Sequence, residues 1–274
     1  MIKADNISYK YKDHTLALKD VSIDLNNGSK IALIGGNGAG KSTLFLNLMG
    51  ILKPTQGCIY FNDKPLEYNK KYMYNYRQKV SMVFQDPDKQ IFHSNVYDDV
   101  AFALRNIGIE EEKVKARVDE ALMKTGAYAF KDKAVHYLSY GQKKRVAIAG
   151  IIALDSEIVL FDEPTAELDP AMTKGIIDII NKLSDEGKKV IISSHDMDLI
   201  YSICDYGYIL SDREVIANGP IEDLFSMDDI LMKANLSQPW LMKVHKKMGV
   251  PLFRNEESLF DYWSELHGNS SNRS

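Results

Sequence analysis

The feature that most constrains this chain is the run Gly35-Gly36-Asn37-Gly38-Ala39-Gly40-Lys41-Ser42, which satisfies the GxxxxGK[ST] phosphate-loop pattern. Its surroundings matter as much as its letters. Residues 30–34 form a short, almost continuous apolar run, as expected of a strand buried on both faces of a parallel sheet. Residues 42–50 then place Leu44, Leu48 and Met49 on one face of a helix. A flexible glycine turn has no need of either neighbour. In a strand-loop-helix setting the glycines let the backbone curl so that successive N–H groups face a β-phosphate, and the helix N-terminus adds its positive end. Lys41 is then placed to reach β- and γ-phosphates, and the Ser42 hydroxyl to ligate Mg²⁺.

The complementary half lies at 158–163, Ile158-Val159-Leu160-Phe161-Asp162-Glu163. The apolar residues bury a strand, and ligands collect at the C-terminal edge of such sheets. Asp162 can hold magnesium through water there, and Glu163 can polarise an attacking water as general base. Two acids alone could merely begin a solvated loop; beside a phosphate loop they read as catalytic equipment.

Strand-loop-helix units recur along the chain, which predicts a mostly parallel sheet with helices on both faces. Strands are expected at 2–9, 21–25, 30–34, 80–84, 158–161, 190–193, 206–210 and 214–217. Helices are expected from 98 to 125, 142–154, 171–186 and 197–204. The turn residues Asn26-Asn27-Gly28 predict a hairpin-like start between the strands that flank them. Residues 86–149 are dominantly helical and interrupt the alternation, so they read as an inserted helical subdomain. From 220 the chain is amphipathic and aromatic-rich, and the polar tail 268–274 is expected to be disordered.

Composition sets the limits on partners. With 274 residues, 45% hydrophobic and 26% charged, the chain is an ordinary globular composition. A net charge of -4 gives no global attraction to nucleic acid or to an anionic membrane. The longest apolar stretch, 146–154, is interrupted by Gly150 and is too short to cross a bilayer, and the N-terminus lacks a signal-peptide pattern. Any membrane role must come through a partner. Cys58 and Cys204 form no CxxC pair and read as isolated buried thiols.

Further landmarks carry a resemblance. Leu138-Ser139-Tyr140-Gly141-Gln142 resembles the LSGGQ signature that sets ABC ATPases apart from other phosphate-loop enzymes. Gln85 matches that family's Q-loop glutamine, His195 its H-loop histidine, 163–169 its D-loop region and Tyr11 its A-loop aromatic. The likeness spans 1–220. It implies an α/β, P-loop NTPase fold of the ABC ATPase type, with an antiparallel β subdomain, the helical subdomain at 86–149 and a C-terminal extension at 221–274.

It also implies the residue roles. Tyr11 would stack on adenine, with Tyr9 as a competitor on the same strand face. Gly35, Gly36, Asn37, Gly38, Ala39, Gly40, Lys41, Ser42 and Thr43 would surround the phosphates of ATP. Ser42, Gln85 and Asp162 would serve Mg²⁺, with Glu163 and His195 catalytic. Ser139, Gly141 and Gln142 would complete the site of a second ATPase subunit packed head to tail. Tyr140 in place of a glycine and Glu167 in place of another depart from the commonest pattern, which touches fine geometry rather than ATP binding.

The stretch 80–92 with 96–102 is similar to the CbiO and energy-coupling-factor group, whose members energise uptake of cobalt, nickel or vitamins. The resemblance implies a homodimer or heterodimer of ATPase subunits, integral membrane coupling and substrate-binding partners, no nucleic acid, and a place at the cytoplasmic face of the cell membrane. Cobalt uptake is the leading reading, nickel or vitamin import the alternative, and a soluble non-transport ABC ATPase a lesser one. Phe92-His93 is not read as a cargo metal site, because no other ligand type is spaced around it.

Overall fold

The computed structural model describes residues 1–268. The expected disorder of the tail falls, beyond 268, outside the described residues. In chain order the elements are β1 (Ile2–Lys10), β2 (Leu16–Asp24), β3 (Lys30–Gly35), α1 (Lys41–Leu48), β4 (Gln56–Phe61), β5 (Lys64–Pro65), α2 (Lys70–Lys79) and β6 (Val80–Val83). There follow α3 (Val96–Asn106), α4 (Glu111–Lys124), α5 (Tyr140–Leu154), β7 (Ile158–Asp162), α6 (Pro170–Asp185), β8 (Lys189–Ser194) and α7 (Met197–Ile203). The remainder is β9 (Tyr206–Ser211), β10 (Glu214–Pro220), α8 (Ile221–Ser226), α9 (Asp228–Lys233), α10 (Trp240–Met248) and α11 (Glu256–Gly268).

Two sheets form. The larger has the order β10-β9-β3-β8-β7-β6, parallel throughout except for β10 at one edge. β3 lies between β9 and β8, and its apolar run is buried because other elements cover both faces of the sheet, Ile31 and Leu33 facing one layer and Ala32 and Ile34 the other. The smaller sheet is antiparallel, β2-β1-β4-β5.

The expected hairpin around Asn26-Asn27-Gly28 is not what forms. β1 pairs with β2 through the turn at 11–15, where Tyr11 N–H and His14 N–H bond within the turn, while 26–28 carries the chain from one sheet to the other. The reason is tertiary. The Asp205 carboxylate accepts from the backbone N–H groups of Ser29 and Lys30, and a Cβ on Gly28 would sit 2.4 Å from that carboxylate. The turn residues serve a close approach to 205 rather than a hairpin.

The single helical pattern from 98 to 125 is two helices. Gly108, at φ 79°, turns the chain between α3 and α4, and α5 completes a helical cluster around Val100, Leu104, Val118 and Leu122. β4, β5 and α2 were not foreseen; of the residues of α2 only Met73 and Tyr76 are buried, too few for a readable stripe.

α1 packs on one face of the large sheet, between it and the smaller sheet. α6, α7 and the helices after β10 pack on the other, where Ile221, Leu224, Phe225, Leu231, Leu241 and Met242 join Ile192 and Ile209. Burying each such side chain is worth about 1.5–3 kcal/mol, so the C-terminal helices are fixed to the sheet by apolar contact. Among the described residues no helix is long and apolar enough to cross a membrane.

Candidate active site

Tyr11, the whole run 35–43, Gln85, Asp162, Glu163 and His195 line one cavity of about 810 Å³ at the C-terminal edge of the large sheet. The phosphate loop leaves β3 at Gly35, whose missing side chain is needed: a Cβ there would stand 2.4 Å from the Leu210 carbonyl oxygen on the neighbouring strand. Gly40 opens α1 at φ 106°, a conformation that L side chains rarely adopt. Lys41 is buried and its Nζ donates to the carbonyls of Gly35 and Gly36, at 2.6 and 3.2 Å. Burial lowers its pKa, opposed by the nearby charges of Glu163 and Asp162. Tyr11 and Thr43 share a hydroxyl-hydroxyl bond of 2.9 Å, and Tyr9 packs edge-on against Tyr11 with ring centroids 5.1 Å apart.

The acidic pair is held by β8. The Ser193 hydroxyl donates to Asp162 Oδ1 at 2.5 Å and accepts from the Glu163 N–H at 3.2 Å. Glu163 takes φ 46°, a left-handed conformation that costs a non-glycine residue about 1–2 kcal/mol. Its N–H also reaches the Ser193 carbonyl at 3.1 Å, so the strain is over-determined by the neighbouring strand. Glu163 Oε2 lies 2.9 Å from His195 Nδ1. Glu163 is almost fully buried whereas the His195 ring is largely exposed, so a carboxylate fixed from behind faces an imidazole open to solvent.

Ser139, Gly141 and Gln142 do not line this cavity. Ser139, itself exposed, caps α5 in a reciprocal box with Gln142, while Gly141 is buried, with Met172 Sδ 2.0 Å from where its Cβ would be. The departure Tyr140 reaches back within the chain, its hydroxyl donating to the Gln85 carbonyl at 2.9 Å. Lys144, fully buried one turn on, donates to the carbonyls of Phe84 and Gln85 at 3.1 and 2.6 Å and lies 3.5 Å from that of Glu163. Burial lowers its pKa to about 8. Lys143 pairs with Asp88 at 2.7 Å, and the Gln90 amide donates to the Ala147 carbonyl at 3.0 Å. The first turns of α5 thus grip 84–90 from several sides.

Sequence reasoning missed Ser193, Lys144, Arg213, Asn235 and Ser237. The first two act through hydroxyl or ammonium contacts with groups far away in the chain, and the last three reach the cavity wall from the β9–β10 turn and from beyond α9. Only the pair Ser193-Ser194 before His195 offered a local signal.

The donors around the phosphate loop suit a magnesium ion bound to a nucleotide. Among the described residues no three His, Cys, Asp or Glu gather to hold a metal by themselves. One carboxylate, one hydroxyl and one amide, from Asp162, Ser42 and Gln85, line the same cavity instead. That sparse oxygen set fits a cation that draws its other ligands from phosphate and water.

The ABC transporter family model matches residues 18–166, more than half of the chain. The chain belongs to the ABC transporter family. A cobalt import ATP-binding protein CbiO of Salmonella paratyphi A is 43% identical to this ABC subunit over 260 residues, 95% of this chain and 96% of the relative. An energy-coupling factor transporter ATP-binding protein, EcfA3 of Clostridium perfringens, is 41% identical over 240 residues, 87% of this chain and 84% of the relative. The solved structure of CbiO1 from Clostridium perfringens, described as part of the ABC transporter complex CbiONQ, superposes with a TM-score of 0.76. It is 40% identical and covers 89% of this chain and 98% of its own. ABC ATP-binding subunits are ATPases that drive transport, and this chain is one of them, in the CbiO and energy-coupling-factor group.

Proposed function

We propose that this ABC subunit hydrolyses Mg-ATP between two ATPase subunits and thereby energises an importer whose cargo is cobalt. The observation that carries the hydrolytic reading is the Glu163–His195 contact at 2.9 Å, set in the cavity that the phosphate loop lines. Glu163 acts as general base on the attacking water, and His195 orients both that water and the γ-phosphate. Lys41 and the N–H groups of the loop hold the phosphates, and Tyr11 faces the adenine. Ser42, Asp162 and Gln85 would hold magnesium, which neutralises charge on the phosphate oxygens when bound.

Residues 1–220 form the nucleotide-binding unit, 86–149 its helical part and 221–274 an extension. The placement of Ser139, exposed and away from this chain's own cavity, supports a shared site, in which Ser139, Gly141 and Gln142 would serve a second subunit's nucleotide. The subunit works at the cytoplasmic face of the membrane, docked on integral partners. Cobalt rests on the similarity to the CbiO proteins; nickel or a vitamin is the second reading, supported by the energy-coupling-factor relative.

Glu163→Gln tests the mechanism. Phosphate release should fall about 10²–10⁴-fold while ATP binding persists and a nucleotide-dependent dimer accumulates on gel filtration. Wild-type turnover in that variant would remove Glu163 from the base role. Cargo is tested by radiolabelled cobalt, nickel and vitamin uptake in cells deleted for this gene and complemented with it. Cobalt uptake that does not respond to complementation rejects the cobalt assignment.

A further inference from the structure

The cavity has one wall that no sequence motif supplies. Arg213, in the turn between β9 and β10, and Asn235 and Ser237, just after α9, line it beside the phosphate loop. Local backbone chemistry explains how the later segment gets there. α9 ends with Asn235 N–H bonded to the Met232 carbonyl at 3.1 Å and Leu236 N–H to the Leu231 carbonyl at 2.8 Å. Asn235 stands at φ 53°, so this is a Schellman ending with asparagine at the position glycine usually takes. Leu236 packs against the apolar cluster beneath. Farther on, Trp240 N–H donates to Asp198 Oδ1 at 2.7 Å on α7, the helix that follows His195. The Ala234 carbonyl lies 3.6 Å from where a Cβ on Gly36 would be. The wall is therefore anchored on both sides and abuts the start of the phosphate loop.

None of the three side chains has a hydrogen-bond or ion-pair partner among the described residues. Asn235 is a costlier choice than glycine for a left-handed cap, and here it stands on a cavity wall. An amide and a hydroxyl beside a phosphate loop are donors suited to phosphate oxygens. Arg213 enters the same wall from the β2 side, its carbonyl accepting from the Lys19 N–H at 2.9 Å. We propose that Asn235 and Ser237 bind the terminal phosphates of the nucleoside triphosphate, so that the segment following α9 is part of the nucleotide site. The inference rests on the reading of this cavity as the ATP site. Gly36 and the His195 end of α7, the neighbours of that segment, place it at the γ-phosphate side in that reading.

The test is calorimetric titration with Mg-ATP and with Mg-ADP, in the Glu163→Gln background so that ATP is not consumed. Ser237→Ala and Asn235→Gly are compared singly and together; glycine keeps the left-handed cap and removes only the amide. Each should raise the Kd for ATP roughly threefold or more, and the double variant about tenfold or more, with ADP affinity and the melting temperature little changed. A double variant that binds ATP within about twofold of its parent overturns the proposal. Equal losses for ATP and ADP also overturn it, since the contacts are then not to the terminal phosphate. Lys41→Ala is the control for the underlying reading: unchanged affinity there shows that the cavity is not the ATP site, whatever the wall does.

Discussion

At the scale of single residues, Ser193 shows how little chemistry separates a strand from a catalytic support. Its hydroxyl bonds Asp162 and Glu163 at once, 2.5 and 3.2 Å away, and both bonds depend on β7 and β8 being in register at Asp162 and Ser193. Removing the hydroxyl leaves the Asp162 carboxylate with one donor fewer and loosens the strained Glu163. Ser193→Ala should lower kcat by about tenfold or more, the worth of one hydrogen bond to a charged group, while shifting ATP affinity much less. Measured turnover and Kd decide it; an unchanged kcat would make Ser193 a bystander. The phosphate loop and the acid pair were legible in the sequence because each is contiguous and stands beside its own buried strand. Ser193 was not, because its partners lie 30 and 31 positions away and only the strand pairing brings them within reach.

At the scale of elements, α5 is the piece whose role outruns its pattern. Its residues join two apolar clusters, Ile148 the one beneath the sheet and Val146, Ala147, Ala149 and Ala153 the helical one. Its first turns also bind 84–90 through Tyr140, Lys143 and Lys144. A buried lysine that satisfies backbone carbonyls cannot be replaced by an apolar chain of similar length without leaving acceptors bare, at about 1–3 kcal/mol each. Lys144→Met should therefore raise the amide hydrogen-exchange rate of 84–90 with little effect on β7 and β8. Unchanged exchange across that segment would show that the grip is incidental. The helices and parallel strands were readable from their periodicity. The opening hairpin was misplaced, because Asn26-Asn27-Gly28 is the stronger local turn signal and only the contact with Asp205 reveals its other use. β4, β5 and α2 were missed for want of apolar contrast, Ile59 being the one buried residue of β4.

At the scale of the whole molecule, the C-terminal helices are structural members of the sheet layer. Phe225 is fully buried, packed edge-on against Tyr201 with centroids 5.9 Å apart. Phe225→Ala should destabilise by about 3–5 kcal/mol. In a chain of this size that lowers the melting temperature by roughly 6–20 °C. A thermal melt within 2 °C of wild type, about the shift expected from 1 kcal/mol or less, would mean that the extension does not support the sheet.

The position of β3 in the sheet has a consequence for how the chain is made. Among the described residues, 30–35 pair only with β8 and β9, at 189–194 and 206–211. During synthesis the phosphate loop emerges early, yet the strand that should hold it stays unpaired until both partners have left the ribosome. At about 5–20 residues per second that interval is roughly 10–35 s. Throughout it ATP has no formed site to occupy, so the nucleotide cannot stabilise the nascent chain, and an apolar strand stays unpaired.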